Sequence, residues 1–261
     1  MDFKKINFQV EENIATIQMN YLKNLNAIDE EMVDELEASF QACEKEEVKV
    51  IIIKGTERCF SAGGDIGYFY DRIKNNTLGE FTIVERVFKL SNYMRKFPKP
   101  IIASCSGAVA GAGCNLALSC DFVFCSDTVK FLQAFVNIAL IPDTGGIYLL
   151  AKDIGWHRAM DLVMTGAPIT AQEGHAMGMF KQVCSVEELD GVTLKFAKKL
   201  VAGPACAYRN MKKLVYEAVF KEYEDFGKAE VRAQVECSKT EDFKEGIAAF
   251  VEKRKANFQG K

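Results

Sequence analysis

Residues 99–121, KPIIASCSGAVAGAGCNLALSCD, decide the fold. Pro98 and Pro100 stop a helix predicted near 80–96, because proline removes a donor and biases its predecessor towards extended backbone. Ile101 to Cys105 then reads as a short apolar strand, a glycine-rich turn follows, and Asn115 to Ser119 reads as helix. Outward from this stretch the same order recurs. Val48 to Lys54 (VKVIIIK) is a β-branched run of the kind buried on both faces of a sheet. Asp121 to Cys125 and Val129 to Gln133 are further short strands, and residues 3–19 alternate as a hairpin around Glu11-Glu12-Asn13. Asp29 is a candidate N-cap for a helix carrying Met32, Val33, Leu36, Phe40 and Cys43 on one face. Alternating strands and helices imply an α/β fold with a largely parallel sheet.

Beyond residue 185 the pattern turns wholly helical, with amphipathic segments near 204–220, 224–237 and 240–255. Thr240 caps the last of these, and Lys253, Arg254 and Lys255 are expected in its final turn, where cations suit the helix dipole. The chain therefore reads as a core over 1–185 and a helical region over 186–261, too thin for a core of its own. That region must pack on the core or on another subunit.

Composition narrows the function. The 261 residues are 49% hydrophobic with 33 basic and 36 acidic side chains, a net charge of −3, and no basic run. Nucleic acid and anionic membrane surfaces are poor partners for such a chain. Nine cysteines occur without any CxxC, and only two histidines, His157 and His175, are present. No metal site and no disulfide framework is expected; reduced, buried thiols are. The N-terminus has no continuous apolar core of a signal peptide, so a cytoplasmic location is expected.

Two glycine-containing loops follow the apolar strands: CFSAGGDI at 59–66 and SGAVAGAGCN at 106–115. Neither has the spacing of a phosphate-binding loop. At a strand-to-helix junction backbone N–H groups point outward unpaired, so two such loops side by side could give one oxygen two donors, an oxyanion hole. For either loop alone, glycine serving close helix–strand packing is the simpler reading.

Together with NLNA at 24–27, KFLQAFVNIALIPDTGG at 130–146, MTGAPITAQEGHAMGM at 164–179 and EDFKEGIAAFVEKRKANFQGK at 241–261, these loops make the whole chain resemble the crotonase (enoyl-CoA hydratase/isomerase) superfamily. The resemblance implies a spiral of ββα turns with a helical C-terminal trimerisation region. It implies a homo-trimer or hexamer and a coenzyme A thioester as substrate, with no separate cofactor. It places the oxyanion donors at the N–H groups of Ala62 and Ala112, and the acyl-CoA path along Ala62, Gly63, Gly64, Asp65 and Ile66, with Leu25 and Ala27 near the nucleotide end.

The two glutamates of the family's hydratases are replaced here by Asn115 and Phe135. Asn115 is expected to hold water at most, since an amide is no base. Asp143, in Pro142-Asp143-Thr144, stands where the resemblance puts an aspartate in dienoyl-CoA isomerases, epoxyphenylacetyl-CoA isomerases and 4-chlorobenzoyl-CoA dehalogenases; the dehalogenase route also needs a histidine base, and none occurs before His157. Following Val136, Ile138, Leu140 and Ile141, Asp143 should have a raised pKa and act as base; from spacing alone it reads as a helix cap. Tyr68, Phe69 and Phe135 are expected as acyl-pocket walls. The leading reading is an enoyl-CoA isomerase; a hydratase or dehydratase, and a non-catalytic CoA-ester-binding subunit, are the alternatives. Asn115→Glu with Phe135→Glu is expected to be tolerated and to add hydratase activity.

Overall fold

The computed structural model describes residues 3–75, 77 and 82–261. The hairpin forms as β1 (Ile6–Glu11) and β2 (Ile14–Met19), followed by α1 (Glu30–Ala42), whose Asp29 cap accepts the Met32 N–H at 2.9 Å. Three turns of strand, strand and helix follow. The first comprises β3 (Val50–Lys54), β4 (Cys59–Ser61) and the helices α2 (Ile66–Lys74) and α3 (Ile83–Lys96). The second is β5 (Ile101–Cys105), β6 (Ala108–Ala110) and α4 (Ala112–Leu118). The third is β7 (Phe122–Ser126), β8 (Lys130–Leu132), a 3-10 turn over Ala134–Ile138, and α5 (Gly146–Ile154). α6 (Trp156–Thr165), β9 (Ile169–Thr170), α7 (Ala171–Ala176) and β10 (Gln182–Cys184) complete the core.

Each turn gives its first strand to one sheet and its second to another. The larger sheet runs β1-β2-β3-β5-β7-β10, parallel except for the hairpin; the smaller runs β4-β6-β8-β9, parallel except at β9. The chain thus climbs as a spiral, and the small sheet stacks the three segments that matter below. The larger sheet's central strands are buried throughout, as their Val/Ile content requires.

Two short strands, β4 and β6, lie inside what the sequence presents as glycine loops; three residues apiece are too few to show a strand period. The helix expected near 80–96 starts at Ile83, and positions 80–81 lie outside the described residues. The helical region holds α8 (Val186–Val201), α9 (Ala205–Val219), α10 (Tyr223–Ser238) and α11 (Glu241–Val251). α8 was missing from the expected segments, although the Glu188 carboxylate bonding the Ser185 N–H marks its start. α11 stops at Val251, so the basic cluster lies beyond its last turn, where Arg254 pairs with Glu245 and Glu252. α8 covers the larger sheet with Leu189 and Ala197, while α10 and α11 bury Tyr223, Phe243 and Ile247 in the main core. α8, α10 and α11 are thus packed onto the core. Among the described residues no helix is long and apolar enough to cross a membrane.

Candidate active site

The site grows from the approach of the first two glycine loops. Gly63 has φ +88°, and a Cβ there would lie 2.8 Å from the Ala110 carbonyl oxygen. No other residue allows β4 and β6 to run on so closely. The NLNA segment is sewn to the first loop: Asn26 donates to the Cys59 and Phe60 carbonyls at 3.1 and 3.3 Å, and Ser61 Oγ donates to the Asn26 carbonyl at 2.8 Å. Ile28 N–H reaches the Gly63 carbonyl at 2.7 Å.

This stitching corrects one expectation. The Ala62 N–H is consumed by the Leu25 carbonyl at 3.0 Å, and the Gly63 N–H by Ser61 Oγ at 3.2 Å. The Gly64 N–H, two residues beyond Ala62, has no acceptor among the described residues and lines the cavity. Ala112 opens α4 directly after Gly111, so its N–H has no intrahelical acceptor either, and it too lines the cavity. Gly64 in the first loop and Ala112 in the second are therefore unpaired donors that line the cavity.

The cavity is about 310 Å³ and overwhelmingly apolar. Ala62, Ile66, Phe69 and Phe135 contribute wall, as do Ile83, Val84 and Val87 of α3 and Phe250 of α11. Among the described residues Asp143 is the sole acidic group on that wall. Tyr68 is not on it: half-buried against the core, its hydroxyl donates to Glu30 at 2.7 Å and its ring carries Arg72. Asp65 caps α2 by accepting the Tyr68 N–H at 3.1 Å and binds Asn24 at 2.9 Å. Leu25, Ala27 and Asp65 thus shape the loop from outside the cavity wall.

Asp143 does not cap α5, whose N-cap is Gly145. Its carboxyl accepts the Thr144 hydroxyl at 2.8 Å, and burial pushes it up to about 6, opposed by that hydroxyl and by the Gln234 amide. A base near the working pH transfers protons most effectively. Asn115 lies beneath the cavity and fully buried. Its amide nitrogen donates to the Asp143 carbonyl at 2.8 Å, and its amide oxygen accepts from Gln133 at 2.7 Å. The water-holding expected of Asn115 gives way to support of the Asp143 backbone. The space beside it is full, since a Cβ on Gly146 would meet the Asn115 amide at 2.2 Å. Asn115→Glu would therefore crowd Gly146 and set a carboxylate against the Asp143 carbonyl, and its expected tolerance is withdrawn.

The sequence reading missed three side chains around Asp143: Tyr223, Glu230 and Gln234, all buried on α10. Glu230 accepts the Gly145 N–H at 2.8 Å and Gln234 the Ile141 N–H at 3.0 Å. Their signal was available: residues 223, 227, 230, 234 and 238 recur at helical spacing and form the buried stripe of α10. Because the stripe is largely polar, it does not read as a core face.

A two-sheet ββα spiral whose largely apolar cavity carries free backbone donors and one half-buried carboxylate has the means to hold an acyl group and to stabilise negative charge on its oxygen. The family model for enoyl-CoA hydratase/isomerase matches residues 9–261, and the chain belongs to that family. It is 34% identical over 263 residues to the trans-2-decenoyl-[acyl-carrier-protein] isomerase of Streptococcus mutans, covering 100% of both chains. It is 32% identical to the 1,2-epoxyphenylacetyl-CoA isomerase of Escherichia coli, covering 97% of each. Among solved structures, an enoyl-CoA hydratase from Mycobacterium avium subsp. paratuberculosis superposes with a TM-score of 0.89 at 27% identity, covering 99% of this chain and 100% of that one. A methylmalonyl-CoA decarboxylase in complex with 2-nitronate-propionyl-CoA gives 0.85 at 28% identity, with full coverage of both.

Proposed function

We propose that the protein is an enoyl-thioester isomerase that moves a double bond between C3 and C2 by one-base proton transfer. The observation that carries this reading is the single carboxylate, Asp143, on a largely apolar wall that also holds the unpaired N–H groups of Gly64 and Ala112. Asp143 removes a proton from C2 of a 3-enoyl thioester. The electron pair shifts through the carbonyl, and the negative charge of the dienolate falls on the thioester oxygen between the Gly64 and Ala112 N–H groups. Each such donor contributes roughly 3–4 kcal/mol. Protonated Asp143 then returns the proton at C4, the double bond settles between C2 and C3, and the carboxylate is regenerated. The reverse sequence converts a 2-enoyl to a 3-enoyl thioester.

A hydratase needs a group to activate water, and with Phe135 and the bound Asn115 amide in the two relevant positions no second carboxylate serves. At about 310 Å³ the cavity is at the small end of ligand sites, roughly 300–1,000 Å³, so it suits the acyl group and leaves the carrier outside. The carrier is coenzyme A in the reading the family favours; the likeness to a decenoyl-[acyl-carrier-protein] isomerase supports acyl carrier protein as a second. α9 buries none of its residues and exposes Met211, Leu214 and Val215, which supports self-association as a trimer or hexamer.

The test follows ultraviolet absorbance of the conjugated enoyl thioester when 3-enoyl-CoA and 3-enoyl-acyl-carrier protein are each supplied. The signal should rise and persist with wild type, and Asp143→Asn should reduce the rate by at least 10²-fold. A signal that rises and then decays into 3-hydroxyacyl product would assign a hydratase instead.

A further inference from the structure

The segment that carries Asp143 is strained. Thr144 has φ +57°, a left-handed conformation that a β-branched residue rarely adopts and that costs about 1–3 kcal/mol. Something must hold it, and the grip comes from one stripe of α10. Gln234 Oε1 accepts the Ile141 N–H at 3.0 Å, Glu230 Oε1 accepts the Gly145 N–H at 2.8 Å, and the Tyr223 hydroxyl donates to the Thr144 carbonyl at 3.3 Å. The three residues are spaced seven and four apart, which puts them on one helix face. Asp143 is bracketed on both sides by these bonds.

A second observation separates the stripe from ordinary packing. Glu230 is 3% exposed, and its Oε2 is buried with no hydrogen-bond partner in the described structure. An unsatisfied buried polar group costs about 1–3 kcal/mol. Such an expense is characteristic of functional sites.

We propose that Glu230, assisted by Gln234, is a positioning residue for the reaction, holding the strained Asp143 segment so that the carboxylate meets the substrate carbon. The proposal rests on the reading of Asp143 as the base. Burial pushes the Glu230 carboxyl well up, and the neighbouring Asp143 charge adds to this. Glu230 uses one carboxyl oxygen to accept the Gly145 N–H. An amide can do the same.

The experiment compares Glu230→Ala, Glu230→Gln and Asp143→Asn in the full chain, measuring kcat, KM and amide exchange over residues 141–146. A displacement of about 1 Å costs on the order of 10²-fold. Glu230→Ala should therefore lower kcat about 10–100-fold with KM within about twofold, and speed exchange over 141–146. Glu230→Gln keeps the acceptor and should stay within about threefold of wild type in kcat with wild-type exchange. A Glu230→Ala protein with unchanged kcat overturns the proposal, as does a Glu230→Gln protein as impaired as the alanine variant. Should Glu230→Ala fail to fold, Gln234→Met removes the grip on Ile141 at similar volume, and unchanged kcat there is equally fatal. Asp143→Asn keeps the two failures apart. If it stays active, the base assignment is wrong; if it is inactive while Glu230→Ala is normal, only the positioning role is.

Discussion

Replacing Asp143 by asparagine should make the protein more stable at neutral and alkaline pH while removing its activity. Burial raises the Asp143 carboxyl from an ordinary 3.8 to about 6, so the folded chain binds this proton more tightly than the unfolded one. Its stabilisation is fully present below 3.8 and is lost as pH rises through about 6. At pH 8 the loss is complete and amounts to about 3 kcal/mol, at 1.36 kcal/mol per pH unit. Asparagine carries no charge to desolvate and can keep the Thr144 hydroxyl bond, so it escapes most of this cost. Equilibrium urea unfolding at pH 8 and pH 5 should show Asp143→Asn ahead by up to about 3 kcal/mol at the higher pH and by about half that at the lower. In thermal unfolding at pH 8 this is roughly 6–12 °C. An asparagine variant less stable than wild type at pH 8, or a gap equal at both pH values, would refute the argument that desolvation raises this carboxyl.

The rate should report the same group: kcat/KM should fall about tenfold per pH unit below about 6, and an acid limb centred near 4 in a pH–rate profile would place the base elsewhere. Ala112→Pro deletes one oxyanion donor at the first position of α4, where proline is tolerated; kcat should drop at least about 10²-fold with the circular dichroism spectrum unchanged, whereas a small effect would remove Ala112 from the hole. Asn115→Glu should lower stability by about 2–4 kcal/mol through crowding at Gly146 and an unpaired buried charge and should yield no 3-hydroxyacyl product; a folded variant that hydrates a 2-enoyl thioester would show the site to be roomier than its packing.

What was legible in the sequence follows from how local each signal is. The buried strands β3 and β5 announce themselves through β-branched runs, and α1 through Asp29 and its apolar stripe. β4 and β6 are three residues each of mostly small side chains, so their strand character exists only in pairing with each other. The two oxyanion loops were visible as loops, but which N–H stays free depends on a partner distant in sequence. Leu25 claims Ala62, and that shifts the donor to Gly64. Asp143 was legible through its apolar run and the family resemblance. The α10 grip was not, because Glu230 and Gln234 lie some 90 residues away and look like a solvated helix face until the fold buries them.

The central claim, that Asp143 alone carries the proton from C2 to C4, is tested most directly by following a label. A 3-enoyl thioester deuterated at C2 should yield 2-enoyl product in which mass spectrometry finds, at the limit of low conversion, a measurable share of the deuterium at C4, because the buried carboxyl returns part of what it removes before exchanging with solvent. Product with no deuterium at C4 from the first turnover, or product bearing a hydroxyl at C3, would contradict the account.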